Sequence, residues 1–149
     1  MEKEEVKISV RDIVEFILRS GDIDNRRGGW ADKESLAKGT RIHKKIQRQM
    51  GAAYQAEVPL SYRFCYEDLD ILVEGRADGI EEKEDRVMVD EIKGVHRDLR
   101  YVEEPVLVHL AQAKCYAAIY TEQNQQEQME VQMTYCNMET EEIRRFSYL

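Results

Sequence analysis

Between Leu69 and Gly94 the chain sets two apolar-rich runs, "LDILVEGRADGI" and "DRVMVDEIKG", around the charged stretch "EEKED". That arrangement predicts an antiparallel hairpin with a solvated loop, at the middle of a sheet. Neighbouring side chains on a strand point to opposite faces, so the adjacent carboxylates Asp90 and Glu91 cannot share one role. Glu91 and Lys93 project to one face. Asp90 and Ile92 project to the other, where Asp90 is expected to meet a basic or backbone partner. A loop centred near Glu84 puts Asp78 opposite Val89 to Glu91. Strands lie about 4.8 Å apart, so a carboxylate from each can reach a common cation.

The flanking sequence supplies the rest of the layer. "SVRDIVEFILRSGD" predicts a helix with Ser9 as N-cap, Asp12 three residues on, and Ile13, Phe16 and Ile17 on its buried face until Gly21. The Gly- and Asp-rich "DIDNRRGGWADK" reads as a surface connection anchored by Trp30, before a second helix from about Ser35 to Met50, closed by Gly51. "AEVPLSYRF" reads as a strand entered through Pro59, with Val58, Leu60, Tyr62 and Phe64 alternating. After the hairpin come a helix from about Val106 to Glu122, the strand "MEVQMTYC", and its partner "EEIRRFSYL" beyond a turn at Asn137 to Thr140. The expected fold is α/β (α+β), a central mixed sheet of about five strands flanked by helices, in a single domain over residues 1–149.

Composition narrows the function classes. No apolar run approaches the roughly 20 residues of a membrane span, and "MEKEEVKISV" lacks the apolar core of a secretory signal. A cytoplasmic setting is expected. A formal net charge of −8 speaks against coating nucleic acid through bulk positive charge. A local exception is "RIHKKIQRQM", where Arg41, Lys44, Lys45 and Arg48 recur at helical spacing. Cys65, Cys115 and Cys136 are odd in number and scattered, which suits reduced packing residues better than a disulfide framework or zinc site.

The chemistry concentrates at the hairpin. If Asp78 shares a face with Glu91 and Lys93, two hard oxygen ligands suited to Mg²⁺ or Mn²⁺ lie beside an ammonium. That combination suits phosphodiester hydrolysis, in which a cation neutralises the anionic phosphate and a water must be activated for attack. A salt-bridged strand pair fits the same spacing equally well. His43 faces inward with Gly39, Ile46 and Met50, and Gln112 and Tyr116 share a face of the helix after the hairpin. In "GVHRDLR", after the site, Arg97 and Arg100 are candidate phosphate contacts or simply solvated loop charges.

Taken in order, "GTRIH", "GRAD", "EIK" and "QAKCY" resemble the motifs of the PD-(D/E)xK nucleases, and within them the RecB-like branch. The resemblance covers most of the chain and implies a restriction-endonuclease-like core. It further implies Asp78, Glu91 and Lys93 as catalytic residues, with Asp78, Glu91, His43 and the backbone carbonyl of Ile92 as metal ligands. Gln112 and Tyr116 would contact substrate or organise the site. The expected activity is Mg²⁺- or Mn²⁺-dependent cleavage of DNA, as an exonuclease on single strands or ends in repair or recombination. The resemblance also implies a module of a longer chain, alongside a helicase domain in cis or trans. Many relatives carry four cysteines around an iron–sulfur cluster; the three here stand elsewhere, so no cluster is expected. Two other readings fit the sequence: a non-catalytic nucleic-acid-binding or docking module of a helicase, and a nuclease directed at RNA.

Overall fold

A computed structural model describes residues 4–18 and 33–149. The connection containing Trp30 lies outside the described residues. The elements run β1 (Glu4–Ser9), α1 (Val10–Ile17), α2 (Lys33–Gln49), β2 (Tyr54–Tyr66), β3 (Leu69–Lys83), β4 (Arg86–Val95), a 3₁₀ turn (Leu99–Tyr101), α3 (Leu107–Asn124), β5 (Glu130–Asn137) and β6 (Ile143–Tyr148). The α/β class and the mixed sheet agree with the sequence reading, but the sheet has six strands rather than about five. The added strand is β1, whose Val6 and Ile8 alternate within a charged segment and pair in parallel with Ile71 and Val73.

The sheet runs β1-β3-β4-β5-β6, with β2 pairing along the other edge of β3. One edge of β3 thus serves two neighbours. β1 holds Leu69 to Glu74, and β4 holds Gly79 to Lys83. Between them, Gly75, Arg76, Ala77 and Asp78 pair with neither. The hairpin is tighter than "EEKED" suggested, because Lys83 pairs with Arg86 and leaves only Glu84 and Asp85 in the turn.

Two apolar clusters hold the layers together. Val10 and Val14 of α1 pack with Ala113, Tyr116, Ala117 and Tyr120 of α3 against Val73, Val89, Met133 and Tyr135 of the sheet. Ile42 and Ile46 of α2 pack with Ile92, Cys136 and Met138. Ser9 caps α1 as expected, its Oγ accepting from the Asp12 amide at 3.0 Å. The buried face of that helix is Val10 and Val14, however, while Phe16 and Ile17 are exposed. The periodicity of the segment is right, and its phase is set by contact with α3.

Pro59 lies within β2 rather than at its start, which is tolerated because β2 is an edge strand whose outer amides have no ladder partner among the described residues. Cys136 and Cys115 join or flank the cores, whereas Cys65 is exposed and does not pack as expected.

Candidate active site

The stretch of β3 that pairs with neither β1 nor β4 is where the predicted residues converge. Had the β3–β4 ladder continued, it would join Asp78 to Glu91; its last pair is Gly79 with Asp90. Where the strands part, the Asp78 carboxylate takes the role of a backbone acceptor, with Oδ2 receiving the Ile92 amide at 2.7 Å. His43 approaches from α2, its Nε2 3.7 Å from the same oxygen, while its Nδ1 lies 2.9 Å from the carbonyl of Gly39. Hydrogen bonding to Asp78, opposed by burial and supported by the charge of Asp78 and the backbones of Gly39 and Ile92, raises the imidazole pKa to about 9.

Glu91 is 4% exposed. Its Oε1 lies 3.4 Å from Lys93 Nζ, and its Oε2 is buried with no hydrogen-bond partner among the described residues. Burial and the neighbouring Asp78 charge push its pKa up to about 8 against the pull of Lys93. An orphaned carboxylate oxygen beside a second carboxylate is a position short of positive charge. Among the described residues no three side chains already form a closed metal cage. The donor set, two carboxylates with an imidazole alongside, nevertheless fits a hard divalent cation better than it fits the protein alone.

From the other layer, Gln112 Nε2 donates to Tyr116 Oη at 3.2 Å, both residues being buried. Burial raises the Tyr116 phenol, the bond from Gln112 opposes this, and the charges of Glu91 and Asp78 add to it. The glycine of "GRAD" explains how that ring reaches the site, because a Cβ on Gly75 would stand 2.5 Å from Tyr116 Cε1. Gly75→Ala should therefore displace Tyr116, cost about 1–3 kcal/mol, and weaken substrate handling. Thermal melts with steady-state kinetics check this; an alanine variant with parental stability would show that the two motifs are not sterically coupled.

Sequence reasoning missed Gln47, one turn beyond His43. Its single amide nitrogen donates to the Asp78 carbonyl at 2.8 Å and to Glu57 Oε1 at 3.1 Å. Glu57 sits at φ 57, a left-handed conformation unusual for a non-glycine residue within a strand. The available signal was the four-residue spacing from His43.

Asp90 turns away from Glu91 as alternation requires, but its partners are neither basic nor backbone. Tyr54 Oη and Thr134 Oγ1 donate to it at 2.8 and 2.6 Å, and Gln132 Nε2 at 3.3 Å. Tyr54 reaches it across Gly79, where a Cβ would fall 1.8 Å from the phenol. Burial raises the Asp90 pKa, opposed by those three hydrogen bonds. Asp90→Asn should cost about 1–3 kcal/mol by facing a donor with a donor, while sparing activity far better than a change at Glu91. Parallel urea melts and rate measurements test the contrast, and the reverse order of activities would mean that the two carboxylates had been assigned to the wrong faces.

The proposed phosphate contacts are less gathered. Arg41, Lys44, Lys45 and Arg48 are exposed on α2, and Lys45 already pairs with Glu141 at 2.9 Å. Arg97 is exposed, and Arg100 is engaged by Asp98 through Nη2 at 2.8 Å. None of the six joins the cluster at Asp78.

Comparison with known proteins adds two findings. The family model of the PD-(D/E)XK nuclease superfamily matches residues 2–148. A solved structure described as "Crystal structure of SSO0001" superposes with a TM-score of 0.66 at 20% identity, covering 99% of this chain and 69% of that one. At that identity the likeness is one of fold. No curated protein gives a match.

Proposed function

Since the chain belongs to the PD-(D/E)XK nuclease superfamily, we propose that it is a divalent-metal-dependent deoxyribonuclease of the RecB-like branch, with Asp78, Glu91 and Lys93 as its catalytic residues. The observation that carries this reading is Glu91, buried between Asp78 and Lys93 with one carboxylate oxygen unbonded. Asp78 and Glu91, with His43 and the Ile92 carbonyl, would hold Mg²⁺ or Mn²⁺. When bound, the cation supplies charge neutralisation at the scissile phosphate and acidifies a water for attack.

The chain's own groups do the rest. Lys93 is oriented by Glu91 Oε1 and extends its ammonium from the strand to stabilise charge developing on phosphorus or to position the water. Gln47 and the Ile92 amide fix Asp78 at main chain and side chain respectively. Gln112 holds the Tyr116 hydroxyl beside the carboxylates, as a group to contact substrate or organise the site. Arg41, Lys44 and Arg48, which have no ion-pair partner among the described residues, remain available for DNA backbone contacts, with Lys45, Arg97 and Arg100 as further candidates.

The substrate is proposed to be single-stranded DNA or DNA ends, cleaved as an exonuclease in repair or recombination beside a helicase. End-labelled linear, circular and RNA strands, incubated with Mg²⁺ or Mn²⁺, test this. Linear DNA should be degraded and circles spared, with RNA a poor competitor. Undiminished cleavage by Asp78→Ala, Glu91→Ala and Lys93→Ala would refute the site; degradation of circles would refute exonuclease action.

A further inference from the structure

The polar face of α3 does not end at Gln112 and Tyr116. His109 lies three residues before Gln112 and seven before Tyr116, on the same side of the helix. It stands against Tyr135 of β5, with ring centroids 6.0 Å apart, and Tyr135 is the residue registered beside Lys93 in the parallel ladder. The histidine therefore flanks the lysine across one buried ring.

Tyr135 bears on which ring nitrogen carries the proton. Tyr135 Oη accepts from the Val106 amide at 3.0 Å, so its own hydrogen is free for another group. His109 Nδ1, at 3.1 Å, is its only acceptor among the described residues. With Nδ1 accepting that hydrogen, the ring proton would lie on Nε2. That N–H has no partner among the described residues.

Burial, with the charges of Lys93 and Arg11, lowers the imidazole pKa to about 4, so the ring is a neutral donor at neutral pH. Both cations bear on this one position in a chain of net charge −8, although Arg11 also pairs with Glu15 at 3.1 Å. An unused donor within the positive field of Lys93 and Arg11 is suited to an anionic oxygen.

We infer that His109 is a substrate-contacting residue, its Nε2–H donating to the backbone phosphate next to the scissile one, and that Tyr135 positions it by fixing the tautomer. The inference rests on the phosphodiesterase reading above. A neutral donor adds a directed hydrogen bond without releasing counterions, so it aligns the strand along α3 rather than attracting it from a distance.

The test is binding of a fluorescent single-stranded oligodeoxynucleotide to the full chain in Ca²⁺, across a series of NaCl concentrations, with thermal melts in parallel. His109→Ala should bind about tenfold more weakly. His109→Gln, which restores an amide donor, should return to within about threefold of the parent. Neither should change the salt slope, whereas Arg11→Gln should flatten it by about one ion. Tyr135→Phe should weaken binding by itself and add nothing on top of His109→Ala.

Parental affinity in His109→Ala, or equal losses in the alanine and glutamine variants, overturns the inference. If the parent binds but no metal supports cleavage, the nuclease reading fails and the contact is decided by the binding series alone. If the parent cleaves and His109→Ala binds unchanged, only the His109 assignment fails. A parent that does not bind the oligonucleotide overturns both.

Discussion

Glu91→Gln is expected to reduce metal-dependent cleavage on the order of a thousandfold or more, while leaving the metal-free protein at least as stable as the parent. The two effects have one cause. A buried carboxylate with an unbonded oxygen, pressed against Asp78, costs folding free energy when no cation is present. Glutamine keeps the volume, is neutral without having to take up a proton and offers Asp78 a donor. It also removes the anionic oxygen that a cation would take, so stability and activity part company. Lys93→Met should lose cleavage comparably yet retain Mn²⁺ affinity, because the ammonium is not a ligand. Initial rates, melts in chelator and metal titration check all three statements. Cleavage within tenfold of the parent, or a melting point several degrees lower in chelator, would sink the account of Glu91.

The second large effect concerns pH. In the metal-free protein the Glu91 carboxyl is pushed from 4.5 to about 8, chiefly by burial and then by Asp78. The His43 imidazole is raised from 6.5 to about 9, chiefly by its hydrogen bond to Asp78. In each case the folded chain holds a proton that the unfolded chain has released, so stability falls as pH rises between the two values. For Glu91 the loss runs from about 4.5 to about 8. For His43 the stabilisation is complete below 6.5 and gone above about 9. Above pH 6.5 the two windows overlap and act in the same direction, while below it the depressed imidazole of His109 opposes Glu91, so the melting temperature in chelator should decline from about pH 6.5 to about 9. A cation must displace those protons to bind, so the rise in melting temperature on adding Mn²⁺ should grow with pH over the same interval. A flat melting profile in chelator, or a metal increment independent of pH, would contradict the proton assignments.

How much of this was legible in the sequence follows the range of the interactions involved. The β3–β4 hairpin and the β5–β6 pair announce themselves because alternation and turn residues act over a few positions. The meeting of His43, Asp78, Glu91 and Lys93 was legible as ordered motifs on elements of the right type. β1 was not, because Val6 and Ile8 are its only apolar residues and its pairing is with a strand some sixty residues away. The orientation of α1 was missed for a related reason, since Phe16 and Ile17 satisfy helical periodicity as well as Val10 and Val14 do, and only α3 chooses between them. Asp90 found hydroxyl and amide partners instead of a cation because Tyr54 crosses Gly79 to reach it, a route open only where the side chain is a hydrogen atom. Gln47 and His109 carry no motif; their roles come from what a neighbouring element places against them.

The parting of β3 from β4 has a mechanical consequence. A continuous ladder is stiff and would hold two facing carboxylates at a distance dictated by the backbone repeat. Here pairing stops one residue short, and Asp78 is tied to β4 through one hydrogen bond to the Ile92 amide. The separation of the two acids is thus set by side chains and by β2, which pairs with Gly75, Arg76 and Ala77 along the other edge of β3, rather than by a direct ladder between them. Mg²⁺ demands oxygens at about 2.0–2.1 Å, and larger cations accept longer bonds. Were the proposed cation bound, that side-chain-set spacing, rather than the backbone repeat, would have to match its radius.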